Sequence, residues 1–334
     1  MTNLQRVRWG VLSTSNIGRA AVIPAIQQST NGELVAIASR DPRRARDYAA
    51  SLGVSRSYGS YEALLSSKDI DAVYIPLPNS LHRKWVIKAA EAKKHVLCEK
   101  PLAMNTVECA EMDNAARLNG VKLMEAFMYR FHPQTQKVAD LVRSRAIGDL
   151  RLIHSALTVR ITDPANIRFQ VELGGGSLMD VGCYCVNITR TIAGQEPVEV
   201  QAFANCGSSG VDDQMVGSLR FSNGLLAQFD CSLILSRRDS YQLVGTEGTI
   251  DVPAAFVPGT SETTIRVKKG PSETWHHVEG VDEYRLMVEH FASCVLNGEP
   301  LRYAAAEAAA NMRVIEALYR SARHGGKPER TPSS

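Results

Sequence analysis

The sequence predicts an α/β protein: a doubly wound parallel sheet followed by a second domain of the α+β class. Short apolar strands alternate with helical stretches in the first third, and this alternation favours parallel pairing because a helix usually makes each parallel crossover. After about Pro133 the alternation gives way to successive strand-like segments, which is typical of antiparallel pairing. Since a domain typically has roughly 150 residues, the length of 334 residues fits two domains, and we place them at residues 1–130 and 131–325.

Five apolar runs are predicted as strands of the first domain: residues 7–12, 34–38, 72–75, 95–98 and 122–125. Helices are predicted between them at residues 16–28, from Asp41 onward, and at 61–66, 80–92 and 107–118. Asp41 suits the N-cap of its helix, and Pro42 suits the first helical position.

A helix at residues 136–144 leads into the second domain. Strand-like segments follow it at 152–161, 199–204, 214–221, 225–233, 240–244, 249–252, 264–267 and 274–278. Ser222-Asn223-Gly224 is a turn signal between two of these segments, so they are predicted to form a hairpin. Helices at 283–296 and 304–322 come next, and the tail from Arg323 is predicted to fray.

The composition excludes several classes of protein. A formal net charge of +3, from 38 Lys and Arg against 35 Asp and Glu, is too small for a protein that coats nucleic acid or an acidic membrane. Hydrophobic residues make up 44% and charged residues 22%, so the chain is not of the disordered class. No stretch approaches the roughly 20 apolar residues of a membrane span.

The seven cysteines are scattered, and the start of the chain shows no apolar signal-peptide core. Both observations favour a reducing cytoplasm. Cys183 and Cys185 are the only close pair, whereas a structural zinc site needs four ligands, so no metal site is predicted.

A nucleotide site is predicted where the first strand turns into the first helix. Dinucleotide folds place a pyrophosphate against the backbone N–H groups of this helix N-terminus, and glycines allow its close approach. Of the three glycines of the G-x-G-x-x-G pattern only Gly18 is present here. An ordinary strand–turn–helix with a serine cap is the alternative. The candidate cofactor-binding residues of this turn are Ser13, Thr14, Ser15, Asn16 and Ile17.

The end of the second strand favours NADP over NAD. An acidic side chain there would bind the ribose hydroxyl and repel a 2′-phosphate, but this strand ends at Ser39 and Arg40, with Arg44 close behind. A guanidinium can hold a 2′-phosphate through forked, charge-assisted hydrogen bonds. Asp41 is better explained as a helix N-cap. The alternative is that these arginines form only a solvated basic helix start.

Two motifs carry a family resemblance: Cys98-Glu99-Lys100-Pro101 after a strand, and the run from Gly174 to Tyr184 with the pattern G-G-G-x-x-x-D-x-G-x-Y. With them the chain resembles the Gfo/Idh/MocA oxidoreductases from about Val7 to Ala322. Residues 124–133 are similar to the branch of the NADP-dependent xylose and dihydrodiol dehydrogenases. Tyr184, as in the glucose–fructose oxidoreductase and dihydrodiol types, stands where many members have histidine, which disfavours an inositol dehydrogenase.

The resemblance implies an N-terminal Rossmann domain and a C-terminal α+β domain with a large, open, mostly antiparallel sheet. Such a sheet often forms the dimer interface, so a homodimer or homotetramer is expected.

The chemistry of hydride transfer suggests roles for three residues of these motifs. Oxidation of a hydroxyl needs a proton acceptor, and a free tyrosine titrates near ~10, too high for an efficient base unless an ammonium favours its phenolate. Tyr184 is therefore the expected proton-transfer residue and Lys100 its partner. Asp180, one helical turn before Tyr184, would orient the substrate hydroxyl or Lys100. A solvated lysine, an N-cap aspartate and a packed tyrosine are the alternatives.

Further candidates follow from position alone. Pro78 and Asn79 follow a strand end, where contacts to the nicotinamide ribose are expected, although Asn79 suits a plain N-cap equally well. His82 lies on the next helix, and its side chain is expected to be exposed. Glu99 and Pro101 are expected to shape the loop that holds Lys100. The candidates to meet a polyhydroxy or anionic substrate, with surface arginine as the alternative, are Arg168 first and then Arg130, His132 and Arg160.

Together these features predict an NADP-dependent oxidoreductase of sugars or polyols, foremost an aldose 1-dehydrogenase of the xylose or glucose type. The alternatives are an NADPH-dependent ketosugar reductase, a trans-dihydrodiol dehydrogenase and a non-catalytic NADP-binding regulator. No nucleic-acid or membrane partner is expected.

Overall fold

The computed structural model describes residues 5–331, which fold as two compact units. The first unit extends to Met128 and also takes in Asp282–Ala309. Of the described residues, the second consists of Tyr129–Val281 and residues 310–331. The contiguous division proposed from the sequence did not anticipate the return of residues 282–309 to the first unit.

The first unit contains a six-stranded sheet in the order β3-β2-β1-β4-β5-β6, with every neighbouring pair parallel. The strand order reverses between β1 and β4, and ligands of such sheets bind beyond the carboxyl ends of the strands at this point. The parallel α/β prediction is therefore confirmed. The strands are β1 Val7–Leu12, β2 Gly32–Ala38, β3 Arg56–Tyr58, β4 Ala72–Ile75, β5 His95–Cys98 and β6 Leu123–Glu125.

Helices connect these strands: α1 Ile23–Gln28, α2 Pro42–Ser51, α3 Tyr61–Leu65, α4 Asn79–Glu91 and α5 Thr106–Asn119. A π-helical segment, Gly18–Val22, precedes α1. Asp41 caps α2 as predicted, because its carboxylate accepts from the backbone N–H groups of Arg43 and Arg44.

The second unit contains a nine-stranded sheet in the order β14-β13-β12-β11-β7-β10-β9-β8-β15. β9 and β10 form the predicted antiparallel hairpin, but β7 and β10 are parallel, so the sheet is mixed. The strands are β7 Leu150–Arg160, β8 Glu199–Cys206, β9 Asp212–Arg220, β10 Leu226–Ser232, β11 Ile234–Gly245, β12 Thr249–Val252, β13 Thr263–Lys269, β14 Ser272–Val278 and β15 Glu329–Arg330.

The prediction of a frayed tail from Arg323 is wrong for residues 329–330. This short segment forms β15 and pairs with the edge strand β8, where free backbone N–H and C=O groups are available to it. Two residues carry too little apolar pattern to reveal such a strand from the sequence.

The remaining helices are α6 Pro133–Arg143, α7 Cys183–Ala193, α8 Glu283–Asn297 and α9 Ala305–Arg323. A π-helical segment, Leu178–Gly182, runs directly into α7. Gly182 lets this helix approach the sheet closely, since a Cβ there would lie 2.8 Å from the sulfur of Cys231 on β10. No helix in the described part of the chain is long and apolar enough to cross a membrane.

Candidate active site

The predicted cofactor turn is organised around Ser15. The Ser15 hydroxyl accepts from the backbone N–H of Gly18 at 3.1 Å, and the Ser15 carbonyl accepts from the Tyr48 hydroxyl at 2.7 Å. A Cβ at residue 18 would lie 2.9 Å from the Ser15 hydroxyl oxygen, which explains the glycine. Ser13 has φ of 155°, a region that favours glycine, at the position of the first missing glycine. The turn thus has a glycine-like φ at Ser13 and a hydrogen bond from Gly18 to the Ser15 side chain.

Arginines follow β2 as predicted. Ser39 is buried and its hydroxyl accepts from the backbone N–H of Asp41, while Arg40 and Arg44 are exposed. Burial raises the pKa of Tyr61, and the nearby guanidiniums of Arg40 and Arg44 oppose this shift. The Asp41 carboxylate is engaged as the cap of α2, so it is not presented as the ribose acid that would repel a 2′-phosphate.

The loop after β5 is held from both sides. The Tyr74 hydroxyl donates to one oxygen of Glu99 at 2.6 Å, and the backbone N–H of Lys100 donates to the other at 3.2 Å. Leu102 donates its N–H to the buried carboxylate of Glu125 at 2.8 Å. Glu99 therefore shapes the loop that presents the half-buried Lys100 at the carboxyl end of a parallel strand, as its sequence position suggested.

The loop after β4 differs from the sequence prediction at Asn79 and at His82. Pro78 is the N-cap residue of α4 and Asn79 is its first residue, so Asn79 does not take the N-cap position. His82 is fully buried rather than exposed: its Nε2 lies 2.8 Å from the Leu77 carbonyl oxygen and its Nδ1 lies 3.0 Å from that of Pro101. The ring thus joins the loop of Asn79 to the loop of Lys100. Nothing in the sequence distinguished this histidine from a surface residue of a helix.

In the second unit the structure brings Arg168 and Asp180 together, with 2.6 Å between the Nε of Arg168 and a carboxylate oxygen of Asp180. The glycine run makes this approach possible. Gly176 donates its N–H to the Arg168 carbonyl, and a Cβ at Gly175 would lie 2.4 Å from that same oxygen. Asp180 lies inside the helical segment and not at its N-cap. Arg168, the first-ranked substrate candidate, therefore contacts a candidate catalytic carboxylate.

Tyr184 lies on α7 and is 8% exposed. Its ring centroid lies 5.9 Å from that of Tyr129 and 5.6 Å from that of Phe256, and the Tyr129 hydroxyl donates to Asn187 at 2.5 Å. These aromatic neighbours fix the plane of the Tyr184 ring.

The other substrate candidates divide into two kinds. Arg130 lies half-buried in the short 3-10 helix Met128–Phe131, and Arg160 is exposed at the end of β7. His132 is buried, burial lowers its pKa, and its Nδ1 accepts from the backbone N–H of Gln134 at the start of α6. Its contacts are those of a helix cap.

Family models match most of the chain. The oxidoreductase family with an NAD-binding Rossmann fold matches residues 7–127, and the GFO/IDH/MocA C-terminal domain matches residues 135–251. The chain is also 41% identical over 323 residues to D-xylose 1-dehydrogenase (NADP(+)) 2 of Haloferax volcanii, covering 96% of this chain and 99% of that protein. The chain belongs to the Gfo/Idh/MocA oxidoreductase family.

Two further relatives lie within this family. A trans-1,2-dihydrobenzene-1,2-diol dehydrogenase of Danio rerio is 36% identical over 74% of this chain and 75% of its own length. A 3-ketoreductase from Actinomadura kijaniata, solved with NADP and TDP-benzene, superimposes with a TM-score of 0.92 at 28% identity, over 95% of this chain and 98% of that chain. The resemblance inferred from the two motifs is confirmed.

The Gfo/Idh/MocA assignment also draws attention to buried carboxylates that sequence reasoning missed. Glu125 on β6 and Asp212 on β9 each accept a backbone N–H beside a family motif, from Leu102 and Leu178 respectively. Both are distant in sequence from the residues they hold, so no local pattern reveals them. Among residues 5–331, no group of three or more His, Cys, Asp or Glu side chains is arranged to hold a metal ion.

Proposed function

We propose that this chain is an NADP(H)-dependent oxidoreductase of a sugar or polyol, foremost an aldose 1-dehydrogenase of the xylose or glucose type. The observation that carries the proposal is full-length similarity, at 41% identity, to a D-xylose 1-dehydrogenase that uses NADP(+). The lysine of the E-K-P loop, Asp180 and Tyr184 are all present, and a protein that only bound the cofactor would not need a proton-transfer residue.

NADP fits the residues of the first unit. The Ser13–Ile17 turn and the Pro78-Asn79 loop flank the point where the strand order reverses, which supports their assignment to the cofactor together with Ser39, Glu99 and Lys100. Arg40 and Arg44 are exposed cations after β2, where a 2′-phosphate would need them. When bound, the nicotinamide supplies the acceptor for the hydride.

The chain's own residues then handle the proton. Tyr184 takes the proton of the substrate hydroxyl as the hydride leaves the carbon, and in the reverse direction it returns that proton to the carbonyl oxygen. Lys100 favours the ionised phenol and stabilises the negative charge that develops on the substrate oxygen. Asp180, held by Arg168, orients the hydroxyl, and Arg168 and Arg130 line the substrate side.

A substrate panel tests the assignment: D-xylose, D-glucose, anhydrofructose, inositols, trans-dihydrodiols and a nucleotide-linked ketosugar, followed by absorbance of the reduced nicotinamide. Turnover of xylose or glucose with NADP supports the aldose assignment. Exclusive turnover of a ketosugar, which the 3-ketoreductase structure makes the second candidate, or of a diol would replace it. Tight NADP binding without any turnover would identify a regulator.

Two variants test the catalytic assignment. Tyr184→Phe and Lys100→Met should each lower kcat by about 10²- to 10⁴-fold while NADPH binding persists. Tyr241→Phe is the matched control, because Tyr241 is an equally buried tyrosine whose hydroxyl has no hydrogen-bond partner among the described residues. Wild-type kcat in either test variant would reject the assignment.

Cofactor choice is tested at the arginines after β2. Loss of a charge-assisted bond of about 1.5–3 kcal/mol should lower the preference for NADP over NAD in Arg40→Ala by at least tenfold in kcat/KM. Arg46→Ala removes an exposed cation from α2, the helix that follows Arg40, and should change the preference little. A tenfold preference of the wild-type protein for NAD would contradict the NADP assignment.

We also propose a homodimer or homotetramer through the second sheet. Phe203 and Val216 lie opposite each other on β8 and β9, and they are 57% and 44% exposed, which favours burial by a second copy. Val216→Asp should lower the mass measured by light scattering, and a monomeric wild-type protein would refute the proposal.

All seven cysteines are free thiols, which supports a cytoplasmic location, testable by cell fractionation.

A further inference from the structure

The helix that carries Asp180 and Tyr184 begins without a cap from its own sequence. Ser177 is its N-cap residue, and its side chain makes no capping hydrogen bond. The cap comes instead from β9: one carboxylate oxygen of Asp212 accepts from the backbone N–H of Leu178 and from the Ser177 hydroxyl, both at 2.7 Å. The other oxygen accepts from the Tyr319 hydroxyl of α9 at 2.8 Å.

The capping carboxylate is buried, so its desolvation costs free energy and its donors must lie at defined positions. Asp212 is 5% exposed, and burial raises its pKa while the Leu178, Ser177 and Tyr319 donors oppose that shift. A carboxylate at a helix N-terminus satisfies an orphan N–H and interacts favourably with the positive end of the helix dipole. With donors on both oxygens, its position is fixed relative to two helices at once.

The glycine motif makes room for the carboxylate. Gly176 has φ of 119°, and a Cβ at this position would lie 2.2 Å from an Asp212 carboxylate oxygen. The third glycine of the run is therefore explained by the carboxylate that occupies the space beside it. The second, Gly175, is explained by the approach of Arg168.

We propose that Asp212, held by Tyr319, is a positioning residue for the reaction: it fixes where the helix of Asp180 and Tyr184 begins and how that helix is rotated. This inference rests on the proposed function of those two side chains. Asp180 lies two residues and Tyr184 six residues beyond the capped N–H of Leu178, so a shift of the helix start is transmitted to both. A misplacement of about 1 Å at a reacting group costs on the order of 10²-fold in rate.

The test compares kcat, KM and NADPH affinity in three variants. Asp212→Ala removes the cap and should lower kcat by about 10- to 100-fold, whereas the Kd for NADPH, whose proposed site lies in the first unit, changes less than about twofold. Asp212→Asn should restore most of the rate, because its amide oxygen still accepts from Leu178 and its amide nitrogen can donate to the Tyr319 hydroxyl. Tyr319→Phe leaves the cap in place and should lower kcat only severalfold.

The matched control is Asp213→Ala, which removes a carboxylate from the next position of β9, beside Gly207 rather than Gly176. Rates are normalised to the folded fraction, measured by far-ultraviolet circular dichroism, because NADPH binding reports only on the first unit. A kcat of Asp212→Ala within threefold of the wild type overturns the proposal, and so does a kcat of Asp212→Asn as low as that of Asp212→Ala. A purely structural role predicts a lower melting temperature with normal kcat per folded molecule.

A second measurement does not depend on the substrate. Ring-labelled tyrosine gives an NMR signal for Tyr184, assigned by its absence in Tyr184→Phe. This signal should shift in Asp212→Ala and stay in place in Asp213→Ala. An unshifted signal refutes the positioning role even if no sugar or diol is turned over, whereas lack of turnover in the wild type with a shifted signal refutes only the proposed function.

Discussion

Removal of the buried imidazole of His82 is the sharpest test of how the first unit holds its loops. The ring contacts the carbonyl oxygens of Leu77 and Pro101, one with each nitrogen. A neutral imidazole donates to one carbonyl at a time, whereas the protonated ring donates to both. Burial, the largest influence, lowers the pKa of His82, whereas hydrogen bonds with the backbone of Leu77, Pro101 and Leu102 favour the charged form.

The magnitude follows from what His82→Ala leaves behind. A buried carbonyl without its donor costs about 1–3 kcal/mol, and truncation of a large buried side chain to alanine costs about 2–5 kcal/mol. We expect a total loss of at least about 3 kcal/mol, equivalent to a fall in Tm of at least about 6 °C at about 2–4 °C per kcal/mol. NADPH affinity should fall as well, because the ring joins the loops that carry Asn79 and Lys100.

The assay is thermal unfolding with and without NADPH, together with NADPH titration. His82→Asn keeps an amide donor in a smaller side chain and should recover part of both losses. The control is His277→Ala, which removes an exposed histidine paired with Glu262 on the second sheet and should shift Tm by less than about 2 °C. If His82→Ala matches the wild type in Tm and NADPH affinity, the bridge between the loops has no energetic role.

Three further predictions concern backbone fit and pH. Gly175→Ala should lower kcat more than about tenfold by displacing Arg168 from Asp180. The control, Gly194→Ala, changes a glycine at φ of 64° with open space around it and should cost only about 1 kcal/mol of stability. Equal kcat values in the two variants would contradict the displacement of Arg168. Ser13→Gly should raise Tm slightly by relieving its φ of 155°, and a lower Tm would refute the strain. Burial lowers the pKa of His82, His95, His132 and His290. Below a pH of 6.5, the usual pKa of histidine, the unfolded chain therefore binds more protons than the folded protein, and stability should fall. A flat Tm from about pH 7 to 5 would contradict this expectation.

Structural features that depend on residues close together in the sequence could be predicted from it. The cap at Asp41, the hairpin at Ser222–Gly224 and the parallel first sheet each follow from a local pattern, and the structure has all three. The return of α8 to the first unit, the parallel pair β7–β10 and the strand β15 depend on contacts between distant segments. No periodicity of two or 3.6 residues encodes them.

The same distinction explains what the motifs could and could not reveal about the site. From residue type and spacing they made Lys100, Asp180 and Tyr184 candidates, but the sequence did not predict the burial of His82 and did not single out Asp212. Each of these two acts at a distance in sequence: His82 on the carbonyl of Pro101, and Asp212 on the N–H of Leu178. We therefore expect a homologue that keeps every motif residue but replaces one of these two to lose activity. Function in this fold is better judged from the motifs together with the buried polar groups that hold them than from the motifs alone.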